Sequence, residues 1–451
     1  MAAEQGKFVT GSLMRHVVTM SLSGAMGLSF TFLVDFLALW WISQLRVEAM
    51  IAAVGIAGTI QFAVMSIAIG MMIGAVALVS RTIGMGERAR ARRIATTGIV
   101  LMALAQAVVS GVIWIFRHEV LIASGAQGEV LDLAEHFLSV TLPSMPMIAV
   151  GIAAAALLRA VGDAWRSMAV TMVAGGIAVM LDPLLIVWMG WGVTGAAISI
   201  VAARGAMCVL GLWFAIRTHD ILARPTAEDV VTFYRPYLAI ALPAIATQLS
   251  TPFGNWILTR EIAQFGESAV AGWGVVMRLT ILAFGGIFAL SGAIGGIIGQ
   301  NFGARRPDRV GEAYWAALKF CAAYTLVTWA LMAALTGPIA SSFGLSAEGE
   351  AVVRTFTHYA AFAFIFTGAL FVANATFNNL ARPLWSTAAN WFRDGLLMLP
   401  AGMALAAFAG AEGVVWANAI VNVIAGSVAA WLAWRYIQSL NRPQPVAAAA
   451  E

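Results

Sequence analysis

Residues 29–42 read SFTFLVDFLALWWI. Apolar or small side chains that hydrocarbon accepts surround one carboxylate, Asp35. Placing an ionised Asp at the centre of a membrane helix costs about 2.5–3.5 kcal/mol on insertion scales. A chain that retains such a group has a use for it or a way to satisfy it.

The surroundings of this stretch fix its setting. Of 451 residues, 61% are hydrophobic and 11% charged, against roughly a quarter charged in soluble domains. Apolar windows of about 20 residues recur along the whole chain, each long enough to cross a ~30 Å hydrocarbon core as a helix. The short alternating segments of a β-barrel do not occur. The fold class expected is an all-α polytopic membrane protein. Breaks in hydropathy predict twelve transmembrane helices near 13–44, 49–80, 92–116, 129–160, 164–190, 193–217, 233–264, 268–300, 308–336, 350–380, 384–409 and 412–438. The first apolar stretch lacks a small-residue cleavage site and reads as a span, not a removable signal.

Lys and Arg set the expected orientation. With the N-terminus in the cytoplasm, 18 basic residues fall on the cytoplasmic side and 4 on the outer side. Arg204, Arg278, Lys319 and Arg393 are left inside or at the ends of spans. That asymmetry predicts cytoplasmic N- and C-termini in a bacterial inner membrane. It leaves no basic patch aimed at nucleic acid. Cys208 and Cys321 fall inside spans and read as small apolar fillers, not a disulfide or metal pair.

The chain also repeats itself. SRTIGMGERARA (80–91) matches GQNFGARRPDRV (299–310), EAMIAAVG (48–55) matches ESAVAGWG (267–274), and LLRAVGDAWRS (157–167) matches TFNNLARPLWS (376–386), all at an offset of 219. The predicted organisation is a six-helix lobe over 1–217, a cytoplasmic linker over 218–232, a second six-helix lobe over 233–438, and a disordered tail over 439–451. An even number of spans per repeat implies a pseudo-two-fold axis along the membrane normal, as in transporters that rock two lobes about a central site. A duplicated static scaffold is the alternative.

Together these motifs resemble the multidrug and toxic compound extrusion (MATE) family of cation-coupled exporters. The resemblance rests on LVDFLALWWISQLRVEAMIAAVG, ALVSRTIGMG, LLRAVGDAWRSM and LDPLLIVWMGWGVTGAAIS in the first half. In the second half it rests on ALPAIATQL, FGESAVAGWGVVMRL, IIGQNFGARRPDR and WFRDGLLMLP. Asp35 fits the DinF-like bacterial branch, whose key acid lies on the first helix. The resemblance implies a secondary antiporter, not an enzyme, that exports amphiphilic or cationic small molecules. It also places Asp182, in VMLDPLLIV just before the helix-bending Pro183, in the same first-lobe cavity as Asp35. A carboxyl shielded from water favours its protonated form, so Asp35 and Asp182 are the candidates for proton coupling. An Asp35 held permanently by Thr31 or Ser29, and a structural Asp182 at the kink, are the alternatives.

Departures from the family pattern bear on the ion and on motion. Ala178 replaces a frequent Asn, and Ile200 replaces a frequent Thr, leaving Ser199 as the nearby hydroxyl. The missing oxygens favour H+ over Na+, with sodium coupling as the alternative. Met20 stands where a helix-bending proline is usual, so Gly24 and Gly27 become the candidate hinge of the first helix, beside Pro183 in the fifth. Candidate cavity-lining residues are Thr31, Ser199, Gln248, Asn255, Asn374 and Asn378. Arg278, Arg393 and Asp394 read as structural charges that pair or snorkel. Trp40, Trp41, Trp188 and Trp191 read as interfacial anchors. No cofactor or metal is expected. The expected partners are a small-molecule substrate and membrane lipid, with no nucleic acid, and the chain is expected to be a monomer. A dedicated organic-anion or siderophore exporter and a lipid-linked precursor flippase are the remaining rivals, though the few central basic residues argue against the flippase.

Overall fold

The computed structural model describes residues 6–440. Among the described residues ten helices are long and apolar enough to cross a membrane, or eleven with one bent pair counted as a span, and the last of them is broken in two at a kink. This gives twelve segments: α1 (Leu13–Ser43), α2 (Glu48–Gly84), α3 (Arg88–Ile115), α4 (Gly128–Ala160), α5 (Ala164–Trp188), α6 (Gly192–Thr218), α7 (Ala227–Ala263), α8 (Glu267–Ala283 with Gly285–Gly303), α9 (Pro307–Ala334), α10 (Ala347–His358 continuing through Ala360–Asn379), α11 (383–408) and α12 (411–440). α11 and α12 meet at Ala409 and Gly410, where φ of +61° at Gly410 turns the chain in a region a side chain would strain.

The repeat is carried through to element boundaries. α2 and α8 begin at Glu48 and Glu267, α3 and α9 at Arg88 and Pro307, α4 and α10 at Gly128 and Ala347, and α5 and α11 at Ala164 and Pro383. Each pair is separated by 219 residues. Even the short helices Arg117–Ala123 and Thr336–Ser342 obey it. One exception matters: α2 is continuous, whereas α8 bends by 48° at Phe284.

Two boundaries differ from expectation. α7 begins at Ala227, inside the stretch assigned to the linker, because Thr226 caps its first turn by accepting from Asp229 N at 3.2 Å. The polar residues that suggested a linker are the acids that favour a helix start. What is left of the linker is pinned to the start of α3: Arg92 donates to Leu222 O and pairs with Asp220, and Thr96 bonds Ala223. At the far end α12 runs to Leu440, and the rest of the 439–451 tail lies outside the described residues.

The lobes exchange their first turns. Phe8, Leu13, Val17 and Met20, at the start of the first half, lie in the core of the second. Phe233, Tyr237 and Ala241, at the start of α7, lie in a core of the first. Both exchanges occur on the face carrying the N-terminus, where buried polar groups clasp the lobes. Gln300 of α8 accepts from Phe8 N at 2.9 Å and donates to Ala160 O at 2.6 Å. Arg81 of α2 donates to Asn379 O (2.6 Å) and Asn378 O (2.8 Å) of α10. Asn301 and Arg309 reach the carbonyl of Phe8, and Tyr237 Oη donates to Met71 O at 2.9 Å. Glycines allow this approach: a Cβ on Gly84 would lie 2.0 Å from Gln300 O, and one on Gly303 2.0 Å from Arg81 O. Among the described residues no hydrogen bond joins the lobes beyond Tyr237 toward the opposite face. The polar contacts between the lobes are thus gathered at one face, called here the closed face, and the opposite face, which carries none among the described residues, is called the open face.

Candidate functional site

Asp35 stands on the second half of α1, where that helix packs along α5. Phe30 and Val34 fill the hollow left by Gly175, and Val34 is buried. The next residue is rotated by about 100°, so Asp35 is turned away from that contact and exposed. Neither carboxylate oxygen has a hydrogen-bond or ion-pair partner among the described residues. Thr31 is not its holder, since the Thr31 hydroxyl donates to Gly27 O at 3.0 Å. The alternative of an Asp35 held by Thr31 is therefore not what the structure shows: a hydroxyl on a helix reaches its own preceding turn more easily than a side chain four residues on.

Asp182 ends the regular part of α5. Pro183 opens a π-helical turn, Pro183–Trp188, in place of a simple kink. Asp182 is buried and its Oδ2 has no partner. Ser199 of α6 sits beside it, with Oγ 3.5 Å from Ala178 O and close enough to interact with the carboxyl. Counting about 1.5 Å per residue, Asp35 lies about 12 Å and Asp182 about 9 Å from the helix ends at the open face. The two acids are within electrostatic reach of each other, and Asp35 also senses Arg204. The structure thus gathers the two predicted acids and adds a cation that had been counted only as a span charge. Arg204 donates through Nη1 to Thr141 O at 2.9 Å and Ser144 Oγ at 2.8 Å, and through Nη2 to Gln61 Oε1.

The second lobe is built differently. At the offset of 219, Asp35 corresponds to Gly254, and Gly175 corresponds to Asp394. The acid and the glycine thus stand on opposite helices in the two lobes, and only in the second do they meet, since Gly175 is filled by Phe30 and Val34. A Cβ on Gly254 would lie 2.7 Å from Asp394 Oδ1. Asp394 is locked in a buried two-pronged pair with Arg393, at 2.8 and 2.7 Å. Arg393 also approaches Thr251 at 3.4 Å. Gln248, Thr251 and Asn255 share a face of α7 at a spacing of three and four residues, and Gln248 and Asn255 are half-buried. Asn374 and Asn378 are buried, which removes them from the lining of an open cleft: Asn374 Oδ1 accepts from Asn390, and the backbone of Asn378 belongs to the clasp. Of the two readings given for Arg278, a buried pair is not formed. The side chain is exposed and has no ion-pair partner among the described residues. Gly24 is a close-packing position, where a Cβ would meet Ala289 at 2.9 Å, and α1 runs unbroken through Gly24 and Gly27.

Comparison with known proteins agrees with this architecture. The profile of the MatE family matches residues 25–184 and 243–403, both halves of the repeat. The chain belongs to the MatE family of transporters. MatE-family proteins are secondary transporters, not enzymes, and the chain is a multi-pass membrane protein. It is 27% identical to a FAD transporter of Shewanella oneidensis over 433 residues, covering 95% of this chain and 96% of that one. It is 23% identical to the multidrug export protein MepA of Staphylococcus aureus over 305 residues, 66% of this chain and 67% of MepA. Among solved structures, an outward-facing multidrug resistance MATE transporter superposes with a TM-score of 0.90 at 21% identity, over 98% of this chain and all of that one. An Asp-to-Asn variant of the Vibrio cholerae MATE transporter VcmN superposes with a TM-score of 0.90 at 23% identity, over 95% and 98%. These structural likenesses establish the fold.

Proposed function

We propose that this MatE transporter is an inner-membrane antiporter with cytoplasmic termini. It exports amphiphilic, cationic small molecules in exchange for protons that enter through Asp35. The observation that carries the proposal is the contrast between the lobes. The second-lobe acid Asp394 is buried and neutralised by Arg393, whereas the first-lobe acid Asp35 is exposed, with no hydrogen-bond or ion-pair partner among the described residues. Only the latter is free to take up and release a proton during a cycle. Asp182, buried beside it with a bare oxygen, shares the charge, so the two titrate as a pair.

In the described state the face carrying the N-terminus is clasped shut, and a proton arriving from outside reaches Asp35 through the open cleft. Protonation and substrate binding favour opposite states, which is the linkage exchange requires. One proton crossing 100 mV supplies about 2.3 kcal/mol, enough for roughly a 50-fold substrate gradient. Gly24 and Gly27 remain our candidate bending points once Gly24 parts from Ala289.

One observation favours a second reading, a dedicated organic-anion exporter. The relative named a FAD transporter matches almost end to end. Vesicles reconstituted with the protein, loaded with either a lipophilic cation or a flavin nucleotide, and given an imposed pH or sodium gradient, separate these cases. The proposal expects pH-driven transport of the cation that Asp35→Asn abolishes. Transport driven by sodium alone, or undiminished in Asp35→Asn, would sink it.

A further inference from the structure

Arg204 is a guanidinium near mid-membrane, about 18 Å into α6 from its start at the open face. Charges at that depth are costly and pair with something. Its hydrogen-bond partners are all neutral. They come from two neighbouring helices: Gln61 on α2, and Thr141 and Ser144 within α4. All three are nine-tenths or more buried. Among the described residues no carboxylate forms an ion pair with Arg204. The charge it senses is Asp35 on α1, which in turn senses Asp182 on α5. Of the titratable groups on α4 toward the open face, Glu135 pairs with Arg117 and His118, His136 is taken up by Thr194 at 2.9 Å, and Glu129 and Asp132 are exposed near the helix start.

Two consequences follow from this placement. A carbonyl, an amide oxygen and a hydroxyl converging at one depth are the ligand types that hold a hard cation such as sodium. Here the guanidinium already occupies them. The charge balance is also fixed: Asp35 and Asp182 contribute −2 and Arg204 contributes +1, so the ionised cluster carries −1 and a single monovalent cation neutralises it.

We infer that Arg204 is a tethered cation that fills the oxygen cage of the first lobe, sets the cluster to accept one proton per cycle, and excludes sodium from the coupling site. This deepens the proton-coupling reading and rests on it. Arg204 is a specificity-determining residue in this scheme, acting on the ion without touching the substrate.

The test is a gain of sodium coupling, which a merely structural residue would not confer. Vesicles holding the parent, Arg204→Met, Arg204→Gln or Arg204→Lys are given opposed pH and sodium gradients, and export and sodium-22 counterflow are recorded. The inference expects the parent and Arg204→Lys to answer to pH alone. It expects the two neutral variants to be driven by sodium, or to move about two protons per substrate as read from the reversal potential. Folded neutral variants that keep the parent's ion dependence and stoichiometry would overturn it. So would a loss of folding in both neutral variants while Arg204→Lys folds, since Arg204 would then be only structural. A parent driven by sodium overturns the proton reading itself, which is a separate result.

Discussion

Gln300→Ala is the sharpest perturbation of the closed face. Gln300 is fully buried and bridges Phe8 N and Ala160 O. Truncation leaves both backbone groups without that partner, each worth about 1–3 kcal/mol when buried and unmet. In the alternate state, with the lobes parted, water reaches the same groups, so the loss falls on the closed state alone. The closed state should lose roughly 2–6 kcal/mol relative to the open one, a shift of at least about 30-fold in their ratio at 1.4 kcal/mol per decade. Spin labels at Ala89 and Glu312, both exposed at the starts of α3 and α9, report the separation by pulsed electron resonance in a background with Cys208→Ser and Cys321→Ala. The variant should show a new, longer distance population. A distribution superimposable on the parent's, in protein of parental thermal stability, would refute the clasp as a conformational lock.

Three further outcomes are expected. Gly303→Leu should force the same face apart, because even a Cβ there would meet Arg81 O at 2.0 Å, and cysteines engineered nearby should label faster. Asp394→Asn should lower stability by about 3–5 kcal/mol by stranding the buried Arg393, whereas Arg393→Met with Asp394→Leu should cost much less; comparing thermal unfolding of the single and double variants checks this. Asp163, at the N-cap of α5 and outside the spans, feels burial pushing its carboxyl up, but bonds from Arg166 N (3.0 Å), Arg166 Nη1 (2.5 Å) and His219 (2.6 Å) outweigh burial and hold it below the ordinary carboxylate range. A carboxyl lowered on folding stabilises at pH above its unfolded value of about 3.9 and loses that contribution as pH falls through its folded value. Thermal stability should drop below about pH 4, and more shallowly in Asp163→Asn.

The spans were legible because each obeys one constraint, some 20 apolar residues between polar breaks, and the repeat because both halves meet that constraint at one spacing. Asp35 was legible for the opposite reason, as a charge violating the pattern around it. Arg204 was not. Arginines in a membrane chain are read first as markers of sidedness, and the three acceptors that define its cage come from helices far apart in sequence. The clasp was hidden for a related reason. Phe8 lies before the first span, and its burial depends on Gln300 and Asn301, some 290 residues away. Asn374 and Asn378 looked like cavity residues because a buried amide and a cleft-facing amide have the same local sequence; only packing separates them.

The most direct test of Asp35 as the exchanging group is proton release on substrate binding. In weakly buffered detergent solution with a pH-sensitive dye, adding a transported cation to the parent should release protons in proportion to the protein that binds. Asp35→Asn should bind the cation and release none. Equal release from parent and variant would place the exchanging proton elsewhere and contradict the account.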